Sequence, residues 1–156
     1  MKKVLIALDY GPTAQNVAES GFSFAKSLNA QVTLIHVIAD PSYYTSMAYS
    51  PIMGFNGYLD AGDLQPDLLD GIRTASEDFL NKTKIHLGDE TIQTMVIEGD
   101  AAQTIVETAN NMQADTIVLG THSRQWLEAI VMGSVAEKVL HHASMPLFIV
   151  PTKKQE

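Results

Sequence analysis

Two glycine-containing segments in the second half of the chain have the residue types and spacing for anion binding. Gly120 follows the apolar run Thr116–Leu119, and Gly133-Ser134 comes just before a helical pattern. A helix N-terminus offers unpaired backbone N–H groups and the positive end of the helix dipole, and glycine lets the backbone approach an anion closely. The order strand, glycine turn, loop and Gly-Ser helix start therefore predicts a phosphate-binding crossover.

Two further candidate residues occur where earlier apolar runs end. Asp9 directly follows Val4–Leu8, and Val37 lies near the end of Gln31–Ile38. In open parallel sheets, ligands bind beyond the carboxyl ends of the strands, where the winding reverses. We therefore predict that Asp9, Val37 and Gly120 belong to one ligand site. The alternative for Asp9 is a turn-forming role after the first strand.

The hydrophobic pattern predicts five strands that alternate with helices. The predicted strands are Val4–Leu8, Gln31–Ile38, Thr91–Glu98, Thr116–Leu119 and Leu147–Val150. Four helices are predicted. The first begins after a cap at Thr13, the second spans Asp67–His86, the third runs from a cap at Asp100 to Met112, and the fourth begins at Gly133-Ser134. Apolar stripes include Val17, Phe22, Ala25 and Leu28 in the first helix, and Val135, Val139 and Leu140 in the last. This order predicts an α/β fold, a single five-stranded parallel sheet with helices on both faces.

The composition narrows the function classes. The 156 residues predict one domain over 1–156, with a variable loop at about 40–67 that is rich in Tyr, Met, Gly and Pro. The net charge of -8 argues against a nucleic-acid partner, and the absence of cysteine excludes disulfides and thiolate metal sites. The short apolar run after Met1 is too short for a signal peptide or a membrane span, so we expect a cytoplasmic protein with no membrane partner.

Several segments together resemble the universal stress protein family: VLIALD, LIHV, EGDAAQTIVETA, ADTIVLGTHSR and MGSVAEKVLHHASMPLFIVP. The resemblance covers nearly the whole chain apart from the 40–67 loop. It implies a Rossmann-like fold, similar to the adenine nucleotide alpha hydrolases, with strand order 3-2-1-4-5. Nucleotide-binding members of the family carry G-x-x-G, nine residues, then G-[ST]. This chain has Gly120 to Ser123, nine residues, then Gly133-Ser134.

Ser123 departs from that pattern, because the family has its second glycine there. If the position requires a positive φ, serine is strained by about 1–2 kcal/mol and its Cβ crowds a phosphate. If φ is negative, the hydroxyl can instead donate to a phosphate oxygen. The sequence leaves both alternatives open.

The resemblance also implies roles for individual residues. Main-chain groups around Ala7 and Val37 would bracket adenine, while Asp9 would accept from a ribose hydroxyl or help to hold a metal-bound water. Backbone N–H groups would hold the phosphates, at Gly120, Ser123, Gly133, Ser134 and Val135. Arg124 would steady a phosphate charge or be a solvated loop residue, and His122 would act through its main chain.

Other candidate residues have structural interpretations. His141 and His142 diverge by about 100° on a helix, so a solvated helix end is favoured over a metal site. His36 lies in an apolar strand and is expected to be a hydrogen-bonded core residue. Trp126, with Leu127, Ile130 and Val131, forms an apolar patch that either joins the core or contacts a partner.

These observations and the resemblance lead to one functional hypothesis with a rival. The hypothesis is a stress-response sensor or regulator that binds ATP, with magnesium or manganese as an accompanying ion. The rival is a nucleotide-free dimeric interaction or chaperone-like module of the same fold, in which Ser123 has closed the site. No catalytic acid and base pair is visible, so the chain is expected to be at most a slow ATPase. The resemblance implies a homodimer that pairs through the C-terminal strand, an edge strand whose unpaired backbone groups invite a partner.

Overall fold

The computed structural model describes residues 1–9, 11, 13–39, 66–121 and 133–152. Its strands are β1 (Lys3–Ala7), β2 (Gln31–Ile38), β3 (Gln93–Glu98), β4 (Thr116–Gly120) and β5 (Leu147–Val150). Its helices are α1 (Ala14–Ser27), α2 (Pro66–Leu87), α3 (Ala101–Asn111) and α4 (Ser134–His142). The predicted variable loop falls almost wholly outside the described residues.

The five strands form one parallel sheet in the order β3-β2-β1-β4-β5. This confirms the predicted fold class and strand order. β1 lies at the centre, where Val4, Leu5 and Ile6 are fully buried. A strand that is covered on both faces needs a continuous apolar run, and this explains why β1 lacks polar alternation.

Two apolar cores pack on opposite faces of the sheet. On one face, α1 and α2 cover a cluster that includes Val4, Ile6 and Val118. On the other face, α3 and α4 cover a cluster that includes Leu5 and Ile117. Neighbouring residues of a strand point to opposite faces, so each central strand contributes to both cores. The rigid central strands therefore fix the positions of the segments that follow them.

Two residues of the predicted apolar helix stripes, Leu28 and Leu140, do not face the core. Leu28 is 39% exposed and Leu140 is 51% exposed. Leu28 is the C-cap of α1 and lies past Ala25, the last buried residue of that helix. Leu140 follows the buried Val139, and a helix turns by about 100° per residue, so Leu140 is rotated away from the core. Phe22 and Val135 of the predicted stripes are only partly buried.

The two predicted helix caps differ in geometry. Thr13 makes no side-chain cap bond because its backbone is already helical, with φ -95 and ψ 0. Asp100 is extended, with φ -67 and ψ 129, and its carboxylate accepts from the Gln103 N–H at 3.0 Å. An extended cap residue directs its side chain at the first turn, so the prediction for Asp100 is confirmed and the one for Thr13 is not.

The turn before β3 supports a prediction about pH. The Thr91 hydroxyl and the Thr91 N–H both donate to Asp89 Oδ1, at 2.6 and 2.8 Å. These bonds, the hydroxyl bond most of all, hold the pKa of the Asp89 carboxyl below its ordinary value. Since the pKa is lowered in the folded state, this group's contribution to stability is present above the pKa of the unfolded chain. It is lost as the pH falls through the folded pKa.

Replacing Thr91 by valine removes the hydroxyl and leaves the backbone donor. We expect the pKa of Asp89 to rise toward its ordinary value, as followed by the carboxyl carbon in an NMR titration. Thr91→Ser retains a hydroxyl and serves as the control. An identical Asp89 titration in the wild type and the valine variant would contradict the assignment.

No helix in the described ranges is long and apolar enough to cross a membrane.

Candidate functional site

The winding of the chain reverses between β1 and β4. From β1 the chain proceeds outward to β2 and then β3, and afterwards it returns to β4 and continues to β5. α1 follows β1 and α4 follows β4, and the two helices pack on opposite faces. In sheets of this kind, the crevice at such a reversal is the usual ligand site. The carboxyl ends of β1 and β4 therefore define the candidate site.

The end of β1 brings Ala7 and Asp9 to this crevice. Ala7 pairs with Ile35 of β2, and the next residue continues the ladder, with the Leu8 N–H donating to the Ile35 carbonyl at 2.9 Å. The half-buried Asp9 accepts from the Gly11 N–H through Oδ1 at 2.8 Å. Asp9 thus forms the turn that leads toward α1.

The end of β2 supports the same crevice from the neighbouring strand. Val37 is partly buried, pairs with Ile97 and packs against the core beneath α3 and α4. His36 is only 2% exposed, and its Nδ1 lies 2.9 Å from the Leu8 carbonyl oxygen. The prediction that His36 is a hydrogen-bonded core residue is confirmed. Its ring ties β2 to the residue that precedes Asp9.

The end of β4 and the start of α4 are joined directly. Gly120 pairs with Val150 of β5, and the following Thr121 accepts a backbone hydrogen bond from the Gly133 N–H. Thr121 and Gly133 are therefore in contact although residues 122–132 separate them in sequence. This contact places the Gly133-Ser134 helix start at the carboxyl end of β4, as the order of strand, glycine turn, loop and helix start predicted.

The first turn of α4 begins without a side-chain cap. Gly133 is the N-cap, with φ -61 and ψ 155, and its carbonyl accepts from the Glu137 N–H at 2.9 Å. Ser134 is exposed and Val135 is half-buried. The first N–H groups of a helix have no partner within the helix, so this end can receive an anion.

Thr152 is a contributor that the sequence did not reveal. It is 2% exposed, and its N–H donates to Thr121 Oγ1 at 3.0 Å. The two threonine hydroxyl oxygens are also 3.0 Å apart. Residues 31 positions apart give no local pattern, so nothing in the sequence marked this pair.

Several predicted residues lie outside the described residues. They include three candidate phosphate contacts and the apolar patch: His122, Ser123, Arg124, Trp126, Leu127, Ile130 and Val131. Of the ten candidate binding residues, the structure describes Ala7, Asp9, Val37, Gly120, Gly133, Ser134 and Val135. All seven lie at or next to the carboxyl ends of β1, β2 and β4 or at the start of α4.

The paired histidines lie at the opposite end of α4. His141 and His142 are both exposed in its last turn, and His142 Nδ1 is 2.8 Å from the Lys138 carbonyl oxygen. Across the described part of the chain, no group of three or more His, Asp or Glu side chains is arranged to hold a metal ion. The solvated helix end predicted for these histidines agrees with their exposure.

The doubly wound sheet with a glycine-marked crossover at its reversal point defines a Rossmann-like α/β protein. The model of the universal stress protein family matches residues 1–151. The chain is 32% identical to the universal stress protein MJ0531 of Methanocaldococcus jannaschii, over 99% of this chain and 85% of that one. It is 28% identical to universal stress protein A of Escherichia coli strain K12, over 99% and 97%. The chain belongs to the universal stress protein family.

Solved structures share the fold at low sequence identity. The protein MJ0577 superposes with a TM-score of 0.74 at 22% identity, covering 99% of this chain and 98% of that one. A universal stress protein in complex with cAMP gives a TM-score of 0.63 at 18% identity, covering 97% and 98%. One from Archaeoglobus fulgidus in complex with dAMP gives 0.61 at 16% identity, covering 96% and 97%. These likenesses establish the fold, and two of the structures contain adenine nucleotides.

Proposed function

We propose that this protein binds an adenine nucleotide, ATP in preference to the monophosphates, and acts as a cytoplasmic stress-response sensor or regulator. The ligand would lie across the carboxyl ends of β1 and β4. Adenine would lie near Ala7 and Val37, and the ribose near Asp9. The phosphates would lie at Gly120 and the first turn of α4. Magnesium or manganese would accompany the phosphates.

The observation that carries the proposal is the contact between Thr121 and Gly133. It brings the uncapped start of α4 to the end of β4, directly beside the end of β1. Backbone N–H groups and the helix dipole attract a phosphate even in a protein of net charge -8, because they act locally. Ser123 and Arg124 would add a hydroxyl and a cation to this site.

The bound nucleotides of two structural relatives support the class of ligand. One binds cAMP and the other dAMP, so adenine is common to both. A preference for ATP would require additional contacts with the β- and γ-phosphates. The start of α4 is suited to supply these contacts, since a helix N-terminus favours higher negative charge.

Calorimetric titration with ATP, AMP and cAMP in the presence of magnesium tests this preference. We expect ATP to bind most tightly and the monophosphates to compete for the same site. Equal affinities would retain the adenine site and reject the role of α4 in phosphate selection. Turnover measured with magnesium and with manganese would separate a binding protein from a slow ATPase.

The rival function is a nucleotide-free dimeric interaction module. The feature that favours an interaction role is β5, whose one neighbour in the described sheet is β4. Its Phe148 stacks on Phe24 of α1, with ring centroids 4.3 Å apart. This contact fixes one face of the strand against α1 and leaves its outer edge open to pairing. We propose that two copies pair through this edge, whether or not nucleotide is bound.

A proline substitution on the outer edge tests the dimer. The Pro146 carbonyl accepts from Ile117 of β4, and the Val150 carbonyl accepts from Thr121 just after β4. The intervening backbone groups of Leu147 and Ile149 therefore point toward the open edge. Ile149→Pro removes an outward N–H, and we expect the dimer to dissociate, with the mass measured by light scattering at micromolar concentration. Ile149→Val keeps the donor and is the control. A monomeric wild type, or a proline variant that folds and remains dimeric, would contradict pairing through β5.

A further inference from the structure

We propose that Thr121 is a positioning residue of the nucleotide site, which sets nucleotide affinity by linking the start of α4 to Thr152, a buried residue after β5. The inference rests on the proposed function, because it assigns a residue that controls that site. Thr121 is not among the candidate binding residues, and it acts through Gly120 and Gly133 on either side.

All three polar groups of Thr121 have partners within the protein. Its N–H donates to the Val150 carbonyl at 3.0 Å, and its carbonyl accepts from the Gly133 N–H. Its Oγ1 accepts from the Thr152 N–H at 3.0 Å and lies 3.0 Å from the Thr152 hydroxyl. One residue thus joins the end of β4, the cap of α4 and the segment after β5. Its side chain is directed at protein partners, so it positions the site by holding these segments together.

The burial of Thr152 makes its hydrogen bonds to Thr121 difficult to replace. Thr152 is 2% exposed, so water has little access to replace Thr121 Oγ1 as the acceptor for its N–H. A buried polar group that loses its hydrogen bond is unfavourable, and the segment would move to find another partner. Such a movement would displace Thr121, and with it the Gly133 N–H that fixes the helix start. The geometry of the phosphate site therefore depends on the contact between the side chain of Thr121 and the buried Thr152.

A threonine-to-valine exchange tests the link because it keeps the shape and removes the hydroxyl. We expect Thr121→Val to weaken ATP binding by about tenfold in calorimetry, within the usual range of coupling between linked sites. Thr121→Ser retains the hydroxyl, and we expect it to bind as the wild type does. This rescue distinguishes the hydrogen bond from the methyl group of the side chain.

Thr83→Val provides a matched control on α2. It removes a partly buried threonine hydroxyl that donates to the Phe79 carbonyl at 2.9 Å. We expect nucleotide affinity to be unchanged in this variant, even if its melting temperature falls as much as that of Thr121→Val. A loss of affinity shared by both variants would indicate general destabilisation and overturn the inference.

The remaining outcomes separate this inference from the proposed function. If the wild type binds ATP and a folded Thr121→Val variant binds it equally tightly, the positioning role is overturned and the nucleotide site remains. A wild type that binds no nucleotide would overturn both. If Thr121→Val does not fold, Thr152→Val carries the test, because it removes only the partner hydroxyl. That variant keeps the Thr152 N–H bond to Thr121 Oγ1, so unchanged ATP affinity would overturn the role of the hydroxyl pair, and a several-fold loss would support it.

Discussion

Replacing Gly133 by aspartate is expected to weaken ATP binding by about hundredfold without destabilising the protein. Gly133 has the extended backbone of a helix cap, with φ -61 and ψ 155, which an aspartate can adopt. The new carboxylate would accept hydrogen bonds from the N–H groups at the start of α4 and repel the phosphates. Like charges about 4 Å apart repel by about 4 kcal/mol at an effective dielectric constant of about 20. Solvent near the helix start screens this repulsion, so the expected hundredfold loss of ATP affinity corresponds to a smaller energy.

Gly133→Asn is the matched control for charge. Asparagine is similar in shape and caps helices about as well as aspartate, but it is neutral. We expect its loss of affinity to be clearly smaller than that of the aspartate variant in parallel calorimetric titrations. Melting temperatures at or above the wild-type value would show that the helix has kept its cap. Undiminished ATP binding by a folded Gly133→Asp variant would contradict a phosphate site at α4.

Replacing Gly21 by valine is expected to lower the free energy of unfolding by about 2 kcal/mol, since forcing methyl groups into a packed core costs about 1–3 kcal/mol. A Cβ at Gly21 would lie 2.8 Å from Val118 Cγ1 and 3.0 Å from Ile6 Cδ1. Both neighbours are fully buried in β4 and β1, so neither can move aside easily. The change corresponds to a drop in melting temperature of roughly 4–8 °C for a domain of this size.

Ser23→Val controls for placing a β-branched valine in α1. Ser23 is exposed on the same helix, and serine and valine have similar helix propensities, so its replacement adds the same side chain without changing core packing. Denaturant unfolding of both variants measures the difference. Equal stabilities would show that α1 does not need glycine to approach the two strands beside the crevice.

Most of the fold could be predicted because its strands are marked by local patterns. The continuous apolar run of β1 and the bounds of β2 follow from residue types that repeat within a few positions. β3 lies at one edge of the sheet, which agrees with its mixed polar and apolar pattern. The family resemblance added the strand order, which no local pattern contains.

The candidate site could be predicted in outline, because strand ends and glycine spacing are visible in sequence. Gly120 and Gly133 were identified in this way, and their segments meet through Thr121. The Thr121–Thr152 pair could not be predicted, because it arises only when β4 and β5 align in the sheet. Leu140 was misassigned for a related reason. Helix spacing alone does not determine which of two adjacent apolar residues faces the core, and in the structure Val139 is the buried one.

The central claim is that the crevice between β1 and β4 binds ATP. The most direct test is to release any ligand from freshly purified protein by heat or acid, identify it by chromatography and mass, and titrate the emptied protein with ATP and magnesium. We predict a co-purified adenine nucleotide or a calorimetric affinity in the micromolar range, with binding greatly weakened in Gly133→Asp. A folded protein that releases no nucleotide and shows no binding by an independent equilibrium method would contradict the claim. The dimeric interaction module would then be the better account of this fold.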